Sequence, residues 1–159
     1  MSVRAAVPED AGAIAAIWNP FIRDTAVTFT TEEKTEAGLA ADIAARPAAF
    51  FVAGEGGKVM GFATAFAFRG GPGYRHTFEH TVQLAPEAWG QGLGRALMAR
   101  LEEALRENGC HVLVAGISGE NEAGIAFHHA IGFETVGRMP QVGAKFGRWM
   151  DLVLMQKIL

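Results

Sequence analysis

The sequence predicts an α/β fold of the α+β type, formed by a single domain that covers residues 1–159. Extended and helical segments follow one another in the order β, α, α, several strands, α, β, α, β, β, which is not the strict alternation of a doubly wound fold. A glycine-rich turn joins two neighbouring strands, as in an antiparallel hairpin. The chain of 159 residues, half of them hydrophobic, is long enough to bury one core.

The N-terminal third is predicted to contain one short strand and two helices. Val3–Ala5 is predicted as the strand. Pro8 suits the first turn of the first helix, where a missing N–H group costs nothing, and Ile14 begins the apolar face of that helix. Glu36–Arg46 is predicted as the second helix, which Pro47 ends.

Three strands are predicted next. Phe50–Ala53 and Val59–Phe68 flank the turn Gly54–Gly57, so they are expected to pair as an antiparallel hairpin. A further strand is predicted over His76–Leu84. These strands are expected to form the middle of the sheet.

The second half of the chain begins with the clearest helix. From Leu93 apolar residues recur with a period of 3.6 residues until Gly109, a typical helix stop. A buried strand follows from His111, and a helix begins with Asn121 as its N-cap and ends with Gly132 as its C-cap. The last two predicted strands are Phe133–Val136 and Trp149–Met155.

Composition excludes several classes of protein. The net charge of −3 argues against a general nucleic-acid binder, which needs clustered basic residues. Cys110 is the only cysteine, so no disulfide framework is expected and a cytoplasmic location is predicted. Glu9 and Asp10 interrupt any signal-peptide core, and no apolar stretch approaches the 20 or so residues of a membrane span. The sequence contains no HExxH motif, and no metal site is expected.

Gly90, Gly92 and Gly94 stand between a predicted strand and the clearest helix, in "AWGQGLGR". Backbone N–H groups and the helix dipole at such a junction suit a diphosphate. A Walker A loop is excluded because no Gly-Lys-Ser/Thr follows, and a dinucleotide fold is disfavoured because the next strand lacks an acidic residue for a ribose. From the glycines alone, a plain strand-to-helix turn is an equally good interpretation.

The segment "WGQGLG" resembles the pyrophosphate loop Gln/Arg-x-x-Gly-x-Gly/Ala of the GNAT superfamily of N-acetyltransferases, with Trp89 in place of Gln or Arg. The segments "YRHTFEHTVQL", "NEAGIAFHHAIGF" and "MPQVGAKFGRWMDLVLMQ" resemble its phosphinothricin and methionine sulfoximine N-acetyltransferase branch. This resemblance covers nearly the whole chain. It implies a mixed, mostly antiparallel central sheet flanked by helices, acetyl-CoA as cosubstrate, a small amino acid as acceptor and a homodimer.

Two catalytic residues follow from the resemblance. Glu79 matches the catalytic glutamate, and poor solvation on an otherwise apolar strand would raise its pKa and improve it as a base. His128 stands where many members carry a tyrosine, and it is the candidate general acid for the thiolate. The alternatives are an exposed strand carboxylate for Glu79 and a merely packed histidine for His128.

The resemblance also implies binding residues. The expected acetyl-CoA contacts, mostly through backbone groups, are Val82, Gln83, Leu84, Gly90, Gln91, Gly92, Leu93, Gly94, Arg95 and Asn121. For Arg95 a solvated helix arginine is an equal alternative. Arg69 and Arg75 are bidentate donors suited to an acceptor carboxylate. By resemblance the loop Pro72, Gly73 and Tyr74 lines the acceptor pocket, and Lys145 in "KFGRW" lies near the site and the subunit interface.

Two other functions are also compatible with the sequence. The acceptor could be a polyamine, an antibiotic amine or a protein N-terminus, and an acidic acceptor groove would favour a polyamine. The chain could instead be a non-catalytic acyl-CoA sensor, against which an intact Glu79 and His128 argue.

Overall fold

The computed structural model describes residues 1–159, which form one seven-stranded sheet with helices on both faces. The strands are β1 (Ser2–Ala5), β2 (Phe50–Glu55), β3 (Lys58–Ala67), β4 (Thr77–Leu84), β5 (Val112–Ser118), β6 (Glu134–Lys145) and β7 (Arg148–Ile158). The helices are α1 (Ala11–Asp24), α2 (Glu36–Ala45), α3 (Leu93–Glu107) and α4 (Glu122–Ala130). None of the helices has the length and apolar character needed to cross a bilayer.

The sheet has the order β1-β2-β3-β4-β5-β7-β6, and every neighbouring pair is antiparallel except β4 and β5. The predicted mixed, mostly antiparallel sheet is therefore confirmed. The predicted hairpin of β2 and β3 is also present, with Glu55 paired to Lys58 across the turn.

Two hydrophobic cores lie on opposite faces of this sheet. Successive residues of a strand point to opposite faces, and β3 shows the result: Phe62 packs with α1 and α2, whereas Ala63 packs with α3. Both residues are fully buried. The alternation assigns Glu79 of β4 to the α1 and α2 face and His80 to the α3 and α4 face.

β4 and β5 separate after a short stretch of parallel pairing. Only Thr77–Glu79 pairs with Val112–Val114, although β4 continues to Leu84 and β5 to Ser118. Because the other edge of β4 is bonded to β3, the β5-facing edge beyond Glu79 has no strand partner. The sheet thus contains a gap beside Glu79.

The last strands depart from the sequence-based bounds. β6 extends to Lys145 rather than ending at Val136, with register shifts between Thr135 and Gly137 and between Met139 and Gly143. These shifts and Pro140 destroy the apolar alternation from which a strand is recognised. Because β6 is an edge strand, the missing proline N–H group removes no essential ladder bond.

The start of α1 also differs from the prediction. Residues Pro8–Asp10 form a separate turn of 3-10 helix, and α1 begins at Ala11. Arg4 of β1 donates to both carboxylate oxygens of Asp10, at 2.8 and 2.9 Å, and this pairing lowers the pKa of Asp10. The turn is therefore fastened to β1 instead of continuing the helix.

Candidate active site

A cavity of about 1120 Å³ lies at the gap between β4 and β5. Its walls come from the connection between α1 and α2, from β4 and β5, and from the start of α4. Both Glu79 and His80 line it, although they face opposite sides of the sheet. The cavity therefore passes through the sheet at the point where the two strands separate.

Glu79 is half-buried at the centre of this passage. It pairs with Phe66 of β3 and with Val114 of β5. Its Oε2 atom lies 3.4 Å from the place that a Cβ atom on Gly116 would occupy, so the carboxylate lies against β5 at this glycine. Burial raises the pKa of Glu79, and no hydrogen bond or cation of the protein offsets that cost. A desolvated, unpaired carboxylate in a cavity is suited to accepting a proton.

His80 and His128 form a buried pair on the other face. Their Nε2 atoms are 2.9 Å apart, and Nδ1 of His128 lies 2.7 Å from the carbonyl oxygen of Gly124. Because a carbonyl only accepts, we assign the Nδ1 proton to His128, whose Nε2 then accepts from His80. The Nδ1 atom of His80 is buried without a hydrogen-bond partner.

Both histidines are neutral in this arrangement. Burial, together with the ring of His128, lowers the pKa of His80 to about 3. Burial also lowers the pKa of His128. The predicted role of His128 as general acid is not favoured by this geometry, because the ring is uncharged at neutral pH and both nitrogens are already bonded within the protein.

The glycine loop presents the start of α3 to the cavity. Gly90 and Gly92 have φ angles of 77° and 79°, a region that favours glycine. No side chain caps α3, so the first N–H groups of this 15-residue helix have no intrahelical acceptor. Gly94 instead allows α3 and α4 to pack closely, since a Cβ there would lie 3.2 Å from the ring of Phe127 on α4. The loop thus offers an anion site made of backbone groups.

Among the remaining predicted cofactor residues, Leu93 is buried in the core outside the cavity lining, and the others divide into two groups. Val82, Gln83 and Asn121 line the cavity, and Asn121 also caps α4 by accepting from the Gly124 N–H group at 2.9 Å. The side chains of Gln91 and Arg95 lie outside the cavity lining and donate to carbonyl oxygens of Glu87 and Ala130, respectively. Any contact of Gln91 with a ligand in this arrangement therefore uses its backbone.

Leu84 and the unusual Trp89 are linked directly. The indole Nε1 of Trp89 donates to the carbonyl oxygen of Leu84 at 3.2 Å, and both residues line the cavity. The Trp89 ring also lies 6.5 Å from that of Phe21 on α1, although more than half of the residue is exposed. The Leu84 carbonyl is therefore already occupied by a protein donor.

The predicted acceptor residues are not brought together at the cavity. Arg69, Pro72, Gly73, Tyr74 and Arg75 lie on an exposed loop before β4, outside the cavity lining. The guanidinium of Arg69 stacks on Tyr74 at 5.2 Å, and Nε of Arg75 donates to His76 at 3.1 Å. Within this chain the two arginines are thus engaged on the loop itself.

Lys145 has a different role from the predicted contact with the acceptor. It is buried, and its Nζ atom donates to the carbonyl oxygens of Thr25 and Thr28 at 2.6 and 2.7 Å. Both threonines line the cavity, whereas Lys145 does not. Nearby, Gly143 leaves no room for a side chain beside the ring of Phe29. The β6–β7 hairpin therefore fixes the connection between α1 and α2.

Four charged residues line the cavity, and sequence analysis identified only Glu79. The others are Lys34 just before α2, Asp42 within it and Arg46 directly after it. No motif surrounds them, and their only signal is a polar edge on an otherwise apolar helix. The structure contains no cluster of three or more His, Cys, Asp or Glu side chains that would hold a metal ion.

Curated relatives match almost the entire chain. The L-amino acid N-acyltransferase of Escherichia coli is 42% identical over 98% of this chain and 92% of its own length. The L-methionine sulfoximine/L-methionine sulfone acetyltransferase of Salmonella typhimurium is 40% identical over 98% and 93%. The phosphinothricin N-acetyltransferase of Streptomyces coelicolor is 35% identical over 100% and 96%.

A solved structure shares the fold. The acetyltransferase of Salmonella typhimurium determined with its cofactor acetyl-CoA superposes with a TM-score of 0.94 at 40% identity, covering 100% of this chain and 94% of that one. The sequence pattern of the acetyltransferase (GNAT) family matches residues 14–133. The chain therefore belongs to the GNAT family of acetyltransferases.

Proposed function

We propose that this protein is an N-acetyltransferase that moves the acetyl group of acetyl-CoA directly to the α-amine of a small amino acid or an analogue such as methionine sulfone, methionine sulfoximine or phosphinothricin. The observation that carries the proposal is Glu79, a desolvated carboxylate at the centre of a cavity that passes through the sheet. One relative is named for acting on L-amino acids, another for methionine sulfoximine and methionine sulfone, and a third for phosphinothricin, which supports the choice of acceptor.

The residues present fit acetyl-CoA. The free N–H groups at the start of α3 suit a pyrophosphate, and the unpaired edge of β4 suits an amide-bearing chain such as pantetheine. When bound, acetyl-CoA supplies an acetyl group activated as a thioester. We call the β4 edge, the glycine loop and the start of α3 the donor half of the cavity.

Glu79 takes the proton that makes the acceptor amine nucleophilic. The α-amine is mostly protonated at neutral pH. Removing its proton costs about 1.4 kcal/mol for each unit by which the pKa of the amine exceeds the pH. Burial brings the pKa of Glu79 closer to the pKa of the amine, which makes transfer of the proton to Glu79 less costly. At a pH above its own pKa, Glu79 is still ionised and able to accept that proton. The proposal needs no acid from the protein, because a thiol with a pKa of about 8.5 leaves readily as the thiolate.

The charges of the cavity favour an acceptor that bears both an amine and a carboxylate. Glu79 and Asp42 are acidic, while Lys34 and Arg46 are basic. A polyamine site would be predominantly acidic, so this balance supports an amino acid instead. We call the connection between α1 and α2, together with Arg46 and the contacts from the β6–β7 hairpin, the acceptor half.

Release of free CoA, measured with a panel of amines that includes methionine sulfone and phosphinothricin, tests the proposal. We expect turnover with amino acids and a roughly 100- to 10,000-fold lower kcat for Glu79→Gln, the range for loss of a general base. Glu103→Gln, on the exposed side of α3, is the matched control and is expected to behave as wild type. Saturable acetyl-CoA binding with no turnover on any amine would identify an acyl-CoA sensor instead.

We also propose a homodimer that pairs through the β6–β7 hairpin. Five large apolar side chains of this hairpin are 44% to 69% exposed: Val136, Met139, Val142, Phe146 and Trp149. Exposed apolar groups concentrated on one element are typical of an interface. Sedimentation analysis is expected to give twice the chain mass for wild type and the monomer mass for Trp149→Glu, and a monomeric wild type would exclude this interface.

We further propose a cytoplasmic location. Acetyl-CoA is the cosubstrate in this proposal, and Cys110 is a buried free thiol with no disulfide partner in the chain. Cell fractionation with an antibody to the native protein tests the location, and recovery in a secreted or membrane fraction would contradict it.

A further inference from the structure

Arg46 directly follows α2, and its side chain extends along the sheet into the acceptor half. Its Nη1 atom donates to the hydroxyl of Thr64 at 3.2 Å, and its guanidinium carbon lies 5.5 Å from the centre of the Phe66 ring. Thr64 and Phe66 are two residues apart on β3, so they share one face. The guanidinium is therefore located above these two positions of β3.

The register of β3 and β4 places this guanidinium on the same face of the sheet as Glu79. Phe66 pairs with Glu79, and Thr64 pairs with Thr81. Residues paired across antiparallel strands share a face, with Cβ atoms about 5 Å apart. Phe66, Glu79, Thr81 and Arg46 all line the cavity. Arg46 and the proposed base thus line the same cavity from one face of the sheet, Arg46 above β3 and Glu79 on the neighbouring strand β4.

The guanidinium retains donors for a ligand. Arginine carries five N–H donors, and Thr64 takes the only hydrogen bond that the Arg46 side chain makes. The nearest carboxylate contact, Nη2 to Oδ1 of Asp42, is 3.9 Å and too long for a hydrogen bond. About 28% of the Arg46 side chain is exposed to solvent.

The other cavity cation is too far along the sheet to serve the same acceptor. Nζ of Lys34 lies 4.5 Å from the centre of the Trp18 ring, which itself stacks on Phe62 at 4.8 Å. Phe62 is four residues from Phe66 on β3, a separation of about 13 Å along a strand. Phe62 pairs with Gln83 and not with Glu79, so Lys34 lies at the end of the acceptor half that is farther from Glu79.

We propose that Arg46 binds the carboxylate of the acceptor and makes the enzyme specific for amino acids, an inference that rests on the proposed function. A single carbon separates the amine and the carboxylate of an α-amino acid, so a cation and a carboxylate that line one cavity from the same face of the sheet can each take one of the two groups. The planar guanidinium grips a carboxylate with two parallel hydrogen bonds, and Glu79 takes the amine. An amine without a carboxylate gains nothing from Arg46.

The test compares two acceptors that differ only in the carboxylate: methionine sulfone and the amine formed by its decarboxylation. For Arg46→Gln we expect a roughly 10- to 100-fold lower kcat/KM with methionine sulfone, mainly through KM, as for loss of hydrogen bonds between charged groups. The value for the decarboxylated amine is expected to remain unchanged. Arg106→Gln, an exposed arginine on α3, is the matched control.

Arg69→Gln and Arg75→Gln test the rival location of the carboxylate site on the loop before β4. A carboxylate-specific loss in either of these variants, but not in Arg46→Gln, overturns the inference. An equal loss with both acceptors in Arg46→Gln also overturns it, because that result identifies a structural role. If Arg46→Gln does not fold, Arg46→Lys carries the test, with a smaller loss expected that is still confined to methionine sulfone.

These outcomes are distinguishable from failure of the proposed function. If the wild type acetylates methionine sulfone and Arg46→Gln keeps the wild-type preference for it over the decarboxylated amine, the proposed function stands and only the role of Arg46 is wrong. If the wild type acetylates neither acceptor, both the proposed function and the role of Arg46 are wrong.

Discussion

The donor half and the acceptor half of the cavity are built by different means. The donor half consists of backbone groups from one continuous stretch of chain, the end of β4 and the glycine loop up to α3. The acceptor half consists of side chains from segments far apart in sequence, such as Lys145, which bonds to the carbonyls of Thr25 and Thr28. Lys145 and Thr25 are 120 residues apart.

This difference has a functional consequence. In the proposed function, the backbone groups of the donor half hold what every acetyl-CoA molecule has in common, so we expect this half to tolerate changes of side chain. We expect the side chains held by distant elements to determine which acceptor fits. Substitutions in the acceptor half are therefore expected to change specificity, whereas only changes of backbone conformation should affect the donor half strongly.

Among substitutions in the acceptor half, Lys145→Met is expected to have the largest effect on stability and on KM for the acceptor. It removes both hydrogen bonds of the ammonium group and leaves the carbonyls of Thr25 and Thr28 unpaired, at a cost of about 1–3 kcal/mol in the free energy of unfolding. Since the loosened segment lines the cavity, we expect KM to rise for acceptors with and without a carboxylate alike. KM for acetyl-CoA is expected to stay constant.

Steady-state kinetics with methionine sulfone and its decarboxylated amine, together with urea unfolding, measure this prediction. Lys58→Met, at an exposed lysine on the β2–β3 turn, is the control. A loss limited to the acceptor with a carboxylate would show that Lys145 contacts the acceptor directly, as the sequence resemblance implied.

Gly92→Ala tests the donor half by changing its backbone. Gly92 has a φ of 79° with open space around it, and Gly56 in the β2–β3 turn has a φ of 59°, also with open space. Alanine at either position costs about 1–2 kcal/mol because a Cβ is strained in this region. Of the two glycines, only Gly92 lies directly before α3, so only Gly92→Ala is expected to raise KM for acetyl-CoA.

Calorimetric titration with CoA and urea unfolding of both variants separate the two effects. Equal losses of stability with weaker CoA binding in Gly92→Ala alone would support a backbone anion site. Weaker binding in both variants, or in neither, would argue against it.

The two halves also differed in how far the sequence predicted them. The turn at Gly90 and Gly92 and the cap at Asn121 were predicted because a helix terminus is local chemistry, repeated in many proteins and readable within a few residues. Their contacts with acetyl-CoA stay a prediction. Arg46 was not singled out because its place on the Glu79 face of the cavity depends on the β3–β4 register and on the reach of a side chain from the end of α2. The order of elements along the chain and most buried segments followed from apolar periodicity, whereas the order of strands in the sheet was not predicted and the extent of the bulged strand β6 was missed.

The buried pair of His80 and His128, on the sheet face covered by α3 and α4, predicts a dependence of stability on pH. In the unfolded chain His80 binds a proton below about pH 6.5, but in the folded protein it does so only near pH 3. The unfolded state therefore binds more protons in this window, and folding stability is lost as the pH falls, by about 1.4 kcal/mol per pH unit for one proton. Stability is fully present above this window.

His80→Gln is expected to reduce this dependence, because a glutamine amide still donates to His128 but does not titrate. The fall in unfolding free energy between pH 7 and pH 5 should be smaller than in wild type by about 2 kcal/mol. Urea unfolding at both values measures it, with the exposed His111→Gln as control. An unchanged dependence in His80→Gln would mean that the pair does not stay neutral.

Trp89→Gln has the smallest expected effect, and it tests whether the donor half depends on backbone groups. The substitution restores the residue type usual in this loop and removes the hydrogen bond to Leu84, a contact worth about 1 kcal/mol at most in an exposed position. Because Gly90 and Gly92 set the loop conformation by their own φ angles, the N–H groups at the start of α3 should keep their positions. We therefore expect CoA affinity to change by less than about fivefold, equivalent to 1 kcal/mol. A larger loss would show that the indole ring, placed between Leu84 and Phe21, is part of the donor half in its own right.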